Sequence, residues 1–247
     1  MKITIPFEAI WELGGLIMII FGLRILFFQV YRIQIERREI GNKLLNYFAK
    51  FAIFTGLGFA LAAPIGPVIK DPVFMKLITP LPYFMLFVAT AYLTRLSFAF
   101  LAPKLEKRAF WSVMFLNFLF VFFMIKDFIL SPSSSQYFFV KDIKTGLSTM
   151  EYPSSTRVLD IIICVVALII PGILFIIKGL RGGDSKVMLK ALLLGVGLVF
   201  FGIGGATNSL SHPSIYIVIS GISLTLGFLF LLWGVFYNIE KDKALAP

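Results

Sequence analysis

From Ala191 to Ile239 the chain carries no Asp, Glu, Lys or Arg. As a single helix rising about 1.5 Å per residue, that run would be more than twice as long as a hydrocarbon layer of roughly 30 Å is thick. It must fold back on itself, and the turn is legible as TNSLSHPS, Thr207 to Ser214, where small polar residues and Pro213 suit a surface turn and not a helix in lipid. Four shorter windows without charge, Phe51–Ile69, Leu77–Thr94, Ala109–Ile125 and Ile161–Ile177, each match about one hydrocarbon thickness.

Composition agrees. Hydrophobic residues make up 59% of the chain, 28 residues are Phe, and only 15% are charged, against about a quarter in soluble domains; the mean hydropathy is +0.93. The expectation is an all-α integral membrane protein of one domain with seven transmembrane helices, near residues 8–30, 47–69, 80–102, 109–130, 158–179, 188–206 and 214–238. A signal peptide is the competing reading of the first span. Glu8 and Glu12 interrupt its apolar region, and no small-x-small cleavage site precedes Arg24, so the helix is read as retained.

Lysine and arginine set the orientation. The connections after the first, third and fifth spans, with the tail, hold Arg32, Arg37, Arg38, Lys43, Lys50, Lys104, Lys107, Arg108, Lys178, Arg181, Lys186, Lys190, Lys241 and Lys243. The opposite side holds fewer, several of them in one long loop. The N-terminus is therefore expected outside and the C-terminus in the cytoplasm, in an inner or plasma membrane. The net charge of +10 is then a topology signal and a contact for anionic headgroups at the cytoplasmic face, and nucleic acid is not a partner.

Polar residues at membrane depth are the candidates for a site. Thr90, Thr94 and Ser97 share a helix face at i, i+4 and i+7, while Arg95 points away, toward Tyr92 and Ala99. Arg95 lies in the inner half of its span, so snorkelling to the headgroups accounts for it; on that reading Arg95→Lys is near neutral and Arg95→Leu costs less than about 1 kcal/mol. The alternative faces it into a polar interior with Thr90, Thr94, Ser97 and Asn117. Asn117, in mid-span, needs an interhelical hydrogen bond. Asp127 and Asp160, at outer helix ends beside Lys126 and Arg157, are expected as solvated charges in the headgroup layer. A second candidate gathers Glu8, Glu12, Asp127, Asp160, Asn208 and His212 at one outer rim as a ligand vestibule.

Motifs for chemistry are missing from the sequence. One His and one Cys leave no multi-histidine or Cys/His metal site, and no serine has a histidine at membrane depth. Cys164 is expected as a small inert hydrophobe. GVGLVFFGIGGA lies inside a lipid-embedded helix, where glycine serves close helix packing and not a nucleotide loop; no cofactor is implied. Gly195 with Gly202 and Gly197 with Gly204, together with Ser223, Gly227 and Gly234, are expected to pack spans six and seven as a tight pair. Pro171 is expected to kink span five.

The largest loop, residues 131–157, holds QYFFV and LSTMEY around a turn-prone KDIKTG, the pattern of a short outer β-hairpin. YRIQIERREIGNKLLNYFAK is expected to extend the first helix and then lie along the inner surface.

Seven spans with the N-terminus outside, the hairpin QYFFVKDIKTGLSTMEY after span four and the linker GATNSLSHPSIYIVISGI together resemble the seven-helix membrane sensor region of bacterial histidine kinases. The chain ends at EKDKALAP without kinase modules. The resemblance implies a non-enzymatic sensor or scaffold subunit that works through a separate membrane or cytoplasmic protein partner, and it assigns no ligand-binding residue. The alternative is a small-solute or ion transporter. A retinal protein is excluded because Ile215 to Ile239 contains no lysine for a Schiff base.

Overall fold

The computed structural model describes residues 20, 23, 43–62, 80–129, 140–141, 148–149, 154–181, 185–210 and 214–236. Among them are α1 (Lys43–Ala62), α2 (Pro80–Leu101) and α3 (Glu106–Ile129). The remaining helices are α4 (Ser154–Cys164, continued through a π turn, Val165–Ile169, into Ile170–Leu180), α5 (Ser185–Asn208) and α6 (Ser214–Phe236). Five helical segments are long and apolar enough to cross a membrane: Pro80–Leu101, Pro103–Lys126, Thr156–Leu180, Val187–Thr207 and Val218–Val235. This is the architecture of a multi-pass membrane protein. Of the expected first span, 8–30, only Ile20 and Leu23 are described, both exposed. Val140–Lys141 and Ser148–Thr149 pair antiparallel, with Val140 opposite Thr149.

Local chemistry sets the helix ends. Pro80 opens α2, where a missing N–H costs nothing. Ala102, at φ −153° and ψ 80°, breaks the helix before Pro103, and a 3-10 turn over Pro103–Leu105 redirects the chain into α3. The hydroxyls of Thr55, Thr90, Thr94 and Ser97 each donate to the carbonyl four residues earlier, at 2.8 to 3.0 Å, which satisfies them where no water is present.

Helices adjacent in sequence pack on each other: α1 on α2, α2 on α3, and α5 on both α4 and α6. The ring closes through aromatics, because Phe51 of α1 meets Phe201 of α5 at 5.3 Å and Phe48 meets Phe228 of α6 at 6.2 Å. In the other direction α3 and α6 turn apolar stripes outward. Trp111, Phe115, Phe118, Phe122 and Ile125 repeat at spacings of four and three along α3, as do Ile222, Leu226, Leu229 and Trp233 along α6. Stripes of this length on a water-facing surface are aggregation sites; against lipid they are the solvent-matched face.

Glycine accounts for the closeness of α5 to its two neighbours, but not all of its glycines face α6. A Cβ on Gly197 would lie 2.8 Å from Leu231 N, and one on Gly227 would lie 2.6 Å from Phe201 N, so these two residues do form the α5–α6 seam. Gly195 faces Gly172 of α4, and Gly202 faces Leu168, Ile169 and the Cys164 carbonyl, also on α4. The expected tight pair is therefore one half of a three-helix sandwich. Two glycine rows offset by two residues in sequence point to different sides of a helix, about 200° apart.

Three further features bear on how the helices pack. The second span, expected from about residue 47, starts as α1 at Lys43, and Tyr47, Phe48 and Ala49 are buried; the apolar residues on either side of Lys50 outweigh the two lysines. Pro171 produces the π turn just before it. Lacking an N–H, Pro171 cannot bond the Ala167 carbonyl in the α pattern, and the helix widens by one residue instead of breaking. Phe230 is partly buried and stacks on Phe200 at 6.0 Å, so it belongs to the α5–α6 contact.

Candidate functional site

The helix termini sort the charged residues into two ends. Tyr47, near the start of α1, reaches Glu106 at the start of α3, and Lys178 near the end of α4 donates to the Phe100 carbonyl near the end of α2 at 3.2 Å. Gly234, close to the end of α6, meets Leu194 of α5. One end therefore holds Lys50, Lys104, Lys107, Arg108, Lys178 and Arg181, and Glu106 is the one acidic residue there among the described residues. Lys126, Asp127, Arg157 and Asp160 lie toward the other.

Glu106 centres a charged joint between three helices at the basic end. It is buried, its Oε1 accepts from Tyr47 Oη at 2.5 Å, and the same oxygen pairs with Arg95 Nε of α2 at 2.9 Å. The guanidinium carbon of Arg95 stands 4.6 Å from the Tyr47 ring centroid and 5.4 Å from that of Phe110, so the cation is held by a carboxylate at Nε and by two aromatic rings within cation–π distance. Arg95 therefore does not act as a free snorkelling side chain. Its side chain is 23% exposed, and its charge is neutralised inside the bundle. Glu106 was not among the candidates from sequence, since it sits among Lys104, Lys107 and Arg108 in the short connection between two spans. The available signal was its spacing: eleven residues beyond Arg95 across a Pro-containing turn, it faces back onto the helix just left.

Thr94 and Asn117 do make interhelical bonds. Thr94 Oγ1 lies 3.2 Å from the Ala167 carbonyl, the group deprived of its α-helical donor by Pro171, and 2.9 Å from the Thr90 carbonyl. Asn117, fully buried on α3, donates through Nδ2 to the Phe87 carbonyl of α2 at 2.8 Å. Thr90 and Ser97 are satisfied within their own helix. The polar face of α2 is thus a packing seam for the π turn, with Arg95 on a separate face. The five residues of the expected polar interior do not form one cluster.

At the other end Asp160 accepts a hydrogen bond from Ser209, just past the end of α5. The residue is half-buried, and Ser209 itself is fully buried. Cys164, one turn further on, is buried beside Gly205. Of the other expected rim residues, Glu8, Glu12 and His212 fall outside the described residues, and Asp127 and Asn208 belong to α3 and α5 with side chains outside the described set. Among the described residues no group of His, Cys, Asp and Glu is placed to hold a metal ion.

No protein-family model matches the chain, and comparison with curated proteins and with solved structures finds no match.

Proposed function

We propose that the protein is a seven-helix membrane sensor or scaffold subunit, with its N-terminus outside, its C-terminus in the cytoplasm and residues 131–157 forming an outer loop with a short hairpin. It acts through a separate partner at the cytoplasmic side. The observation that carries this reading is the Tyr47–Glu106–Arg95 joint: a buried carboxylate ties three helices together at the end rich in lysine and arginine, the end that the positive-inside rule assigns to the cytoplasm. Such a joint has a natural alternative state, with the pair parted and Arg95 turned toward headgroups. A change at the outer ends of α1 to α3 that favours one state reaches a cytoplasmic partner through it.

Transport of a small solute or ion is the second reading, and Asp160 favours it. An ionisable residue in a membrane-spanning segment marks a pathway by default, and this one is held only by Ser209 among the described residues. The test has two arms. Gentle isolation from native membranes should yield a stoichiometric partner whose retention changes in Glu106→Gln. Failure to find one, together with solute-dependent flux in proteoliposomes that is lost in Asp160→Asn, overturns the sensor reading in favour of transport.

A further inference from the structure

Lys50 is the cation that the charged joint does not neutralise. Its Nζ stands 5.3 Å from the centroid of the Tyr92 ring, and among the described residues no acceptor or carboxylate meets it. It is not at the rim of its helix: seven residues separate it from Lys43, about 10 Å of helix. Arg95 is at similar depth, about 9 Å inside the end of α2 at Leu101. The two cations share a continuous aromatic ledge, since Tyr92 and Phe110 are 5.2 Å apart and Arg95 stacks on Phe110. Glu106 offsets one positive charge, and its Oε1 is already occupied by Tyr47 and Arg95. The ledge thus carries a net positive charge one to two turns inside an apolar bundle.

A positive charge at that depth is stable when an anion or headgroup reaches it. Aromatic walls favour the arrangement further, because they keep water from one side of the cations while leaving the other side open. We propose that Lys50 and Arg95, with the Tyr92–Phe110 ledge between them, bind the phosphate of an anionic phospholipid drawn in from the leaflet that meets the basic end. Lys50 supplies the point charge, and Arg95 supplies guanidinium N–H groups not used on Glu106. The exposed Lys107 and Arg108 on the first turns of α3 attract anionic lipid to the same edge without belonging to the site. The inference rests on the membrane reading above, and the two fail differently: a protein released by carbonate washing is not integral, whereas a protein that stays in the membrane can still lack the site.

The full chain is purified in a mild neutral detergent and its melting temperature followed as phosphatidylglycerol, phosphatidylcholine or inorganic phosphate is added. Phosphatidylglycerol should raise the melting temperature by several degrees and phosphatidylcholine should not. Lys50→Gln should lose most of the rise, whereas Lys107→Gln keeps it. Native mass spectrometry should find one fewer retained phosphatidylglycerol in Lys50→Gln than in the parent, a readout independent of any change in stability. Equal lipid retention and an equal rise in Lys50→Gln and the parent overturn the site. A rise with inorganic phosphate and none with phosphatidylglycerol overturns the lipid assignment.

Discussion

Replacing Arg95 by leucine removes one partner of a buried carboxylate. Glu106 is 4% exposed, and its Oε1 accepts from both Tyr47 and Arg95. Parting a buried pair by deleting one member costs about 3–5 kcal/mol, because the other charge is left uncompensated. Arg95 itself keeps 23% exposure, so some of its attraction is screened and the expected cost falls to about 2–4 kcal/mol. Arg95→Lys keeps the charge but loses the planar fork and much of the stacking on Tyr47 and Phe110, for about 1–2 kcal/mol. Glu106→Gln in the Arg95→Leu background should recover part of the loss, since a neutral amide is easier to bury than a lone carboxylate. The assay is thermal or denaturant unfolding in one fixed detergent, with Arg108→Leu as an exposed control. Equal melting of Arg95→Leu and Arg108→Leu would refute the joint and restore the snorkelling account, under which Arg95→Leu costs less than about 1 kcal/mol.

Gly202→Leu should loosen α5 from α4 and Gly227→Leu should loosen it from α6; both lower the melting temperature, while Leu229→Phe on the lipid-facing stripe does not, and a spin-label distance across each seam shows which one opened. Thr94→Val removes the donor to the Ala167 carbonyl and should cost about 1 kcal/mol; an unchanged melting temperature means that the widened turn satisfies that carbonyl alone. In a Cys164→Ala background, single cysteines at Ser134 and Gly146 should label with an impermeant thiol reagent from outside intact cells and cysteines at Asn42 and Ser185 should not, and the reverse pattern inverts the topology. Carbonate washing should leave the protein in the membrane pellet, whereas release marks it as peripheral.

Five of the expected spans were legible because their cause is local. A charge-free run bounded by basic residues or by Pro and small polar residues needs no tertiary knowledge, and Pro80–Leu101 and Ser214–Phe236 fall within a few residues of the runs that foretold them. Partnerships were harder. The glycines of α5 were recognisable as packing residues, yet which neighbour each faces depends on the rotation of α5 about its axis, a quantity set by both neighbours together. Glu106 shows the same limit from the other side. Its type and its basic surroundings describe an exposed residue, and only the sharp return at Ala102 and Pro103 places its carboxylate against α1 and α2. Pro171 was read as the site of a kink, and its missing N–H acts through the π turn over Val165–Ile169, itself a usual place for a helix to bend.

Two adjacent residues make α2 the shaft of this arrangement. Thr94 reaches the π turn of α4 on one side, and Arg95 reaches Glu106 of α3 and the Tyr47 ring of α1 on the other. Successive side chains on a helix point about 100° apart, so a rotation of α2 that strengthens one of these contacts weakens the other. The π turn is the compliant member, since its carbonyls already depart from the α pattern; the ion pair is the stiff one, with bond geometry that tolerates little displacement before the carboxylate is left bare. Strain applied to α2 should therefore appear first at Val165–Ile169 and reach the Tyr47–Glu106–Arg95 joint only when that turn has given way. In hydrogen exchange, amides of the π turn should open ahead of those beside Glu106. Simultaneous opening of the two segments would mean that α2 moves as a rigid unit with both neighbours and transmits nothing between them.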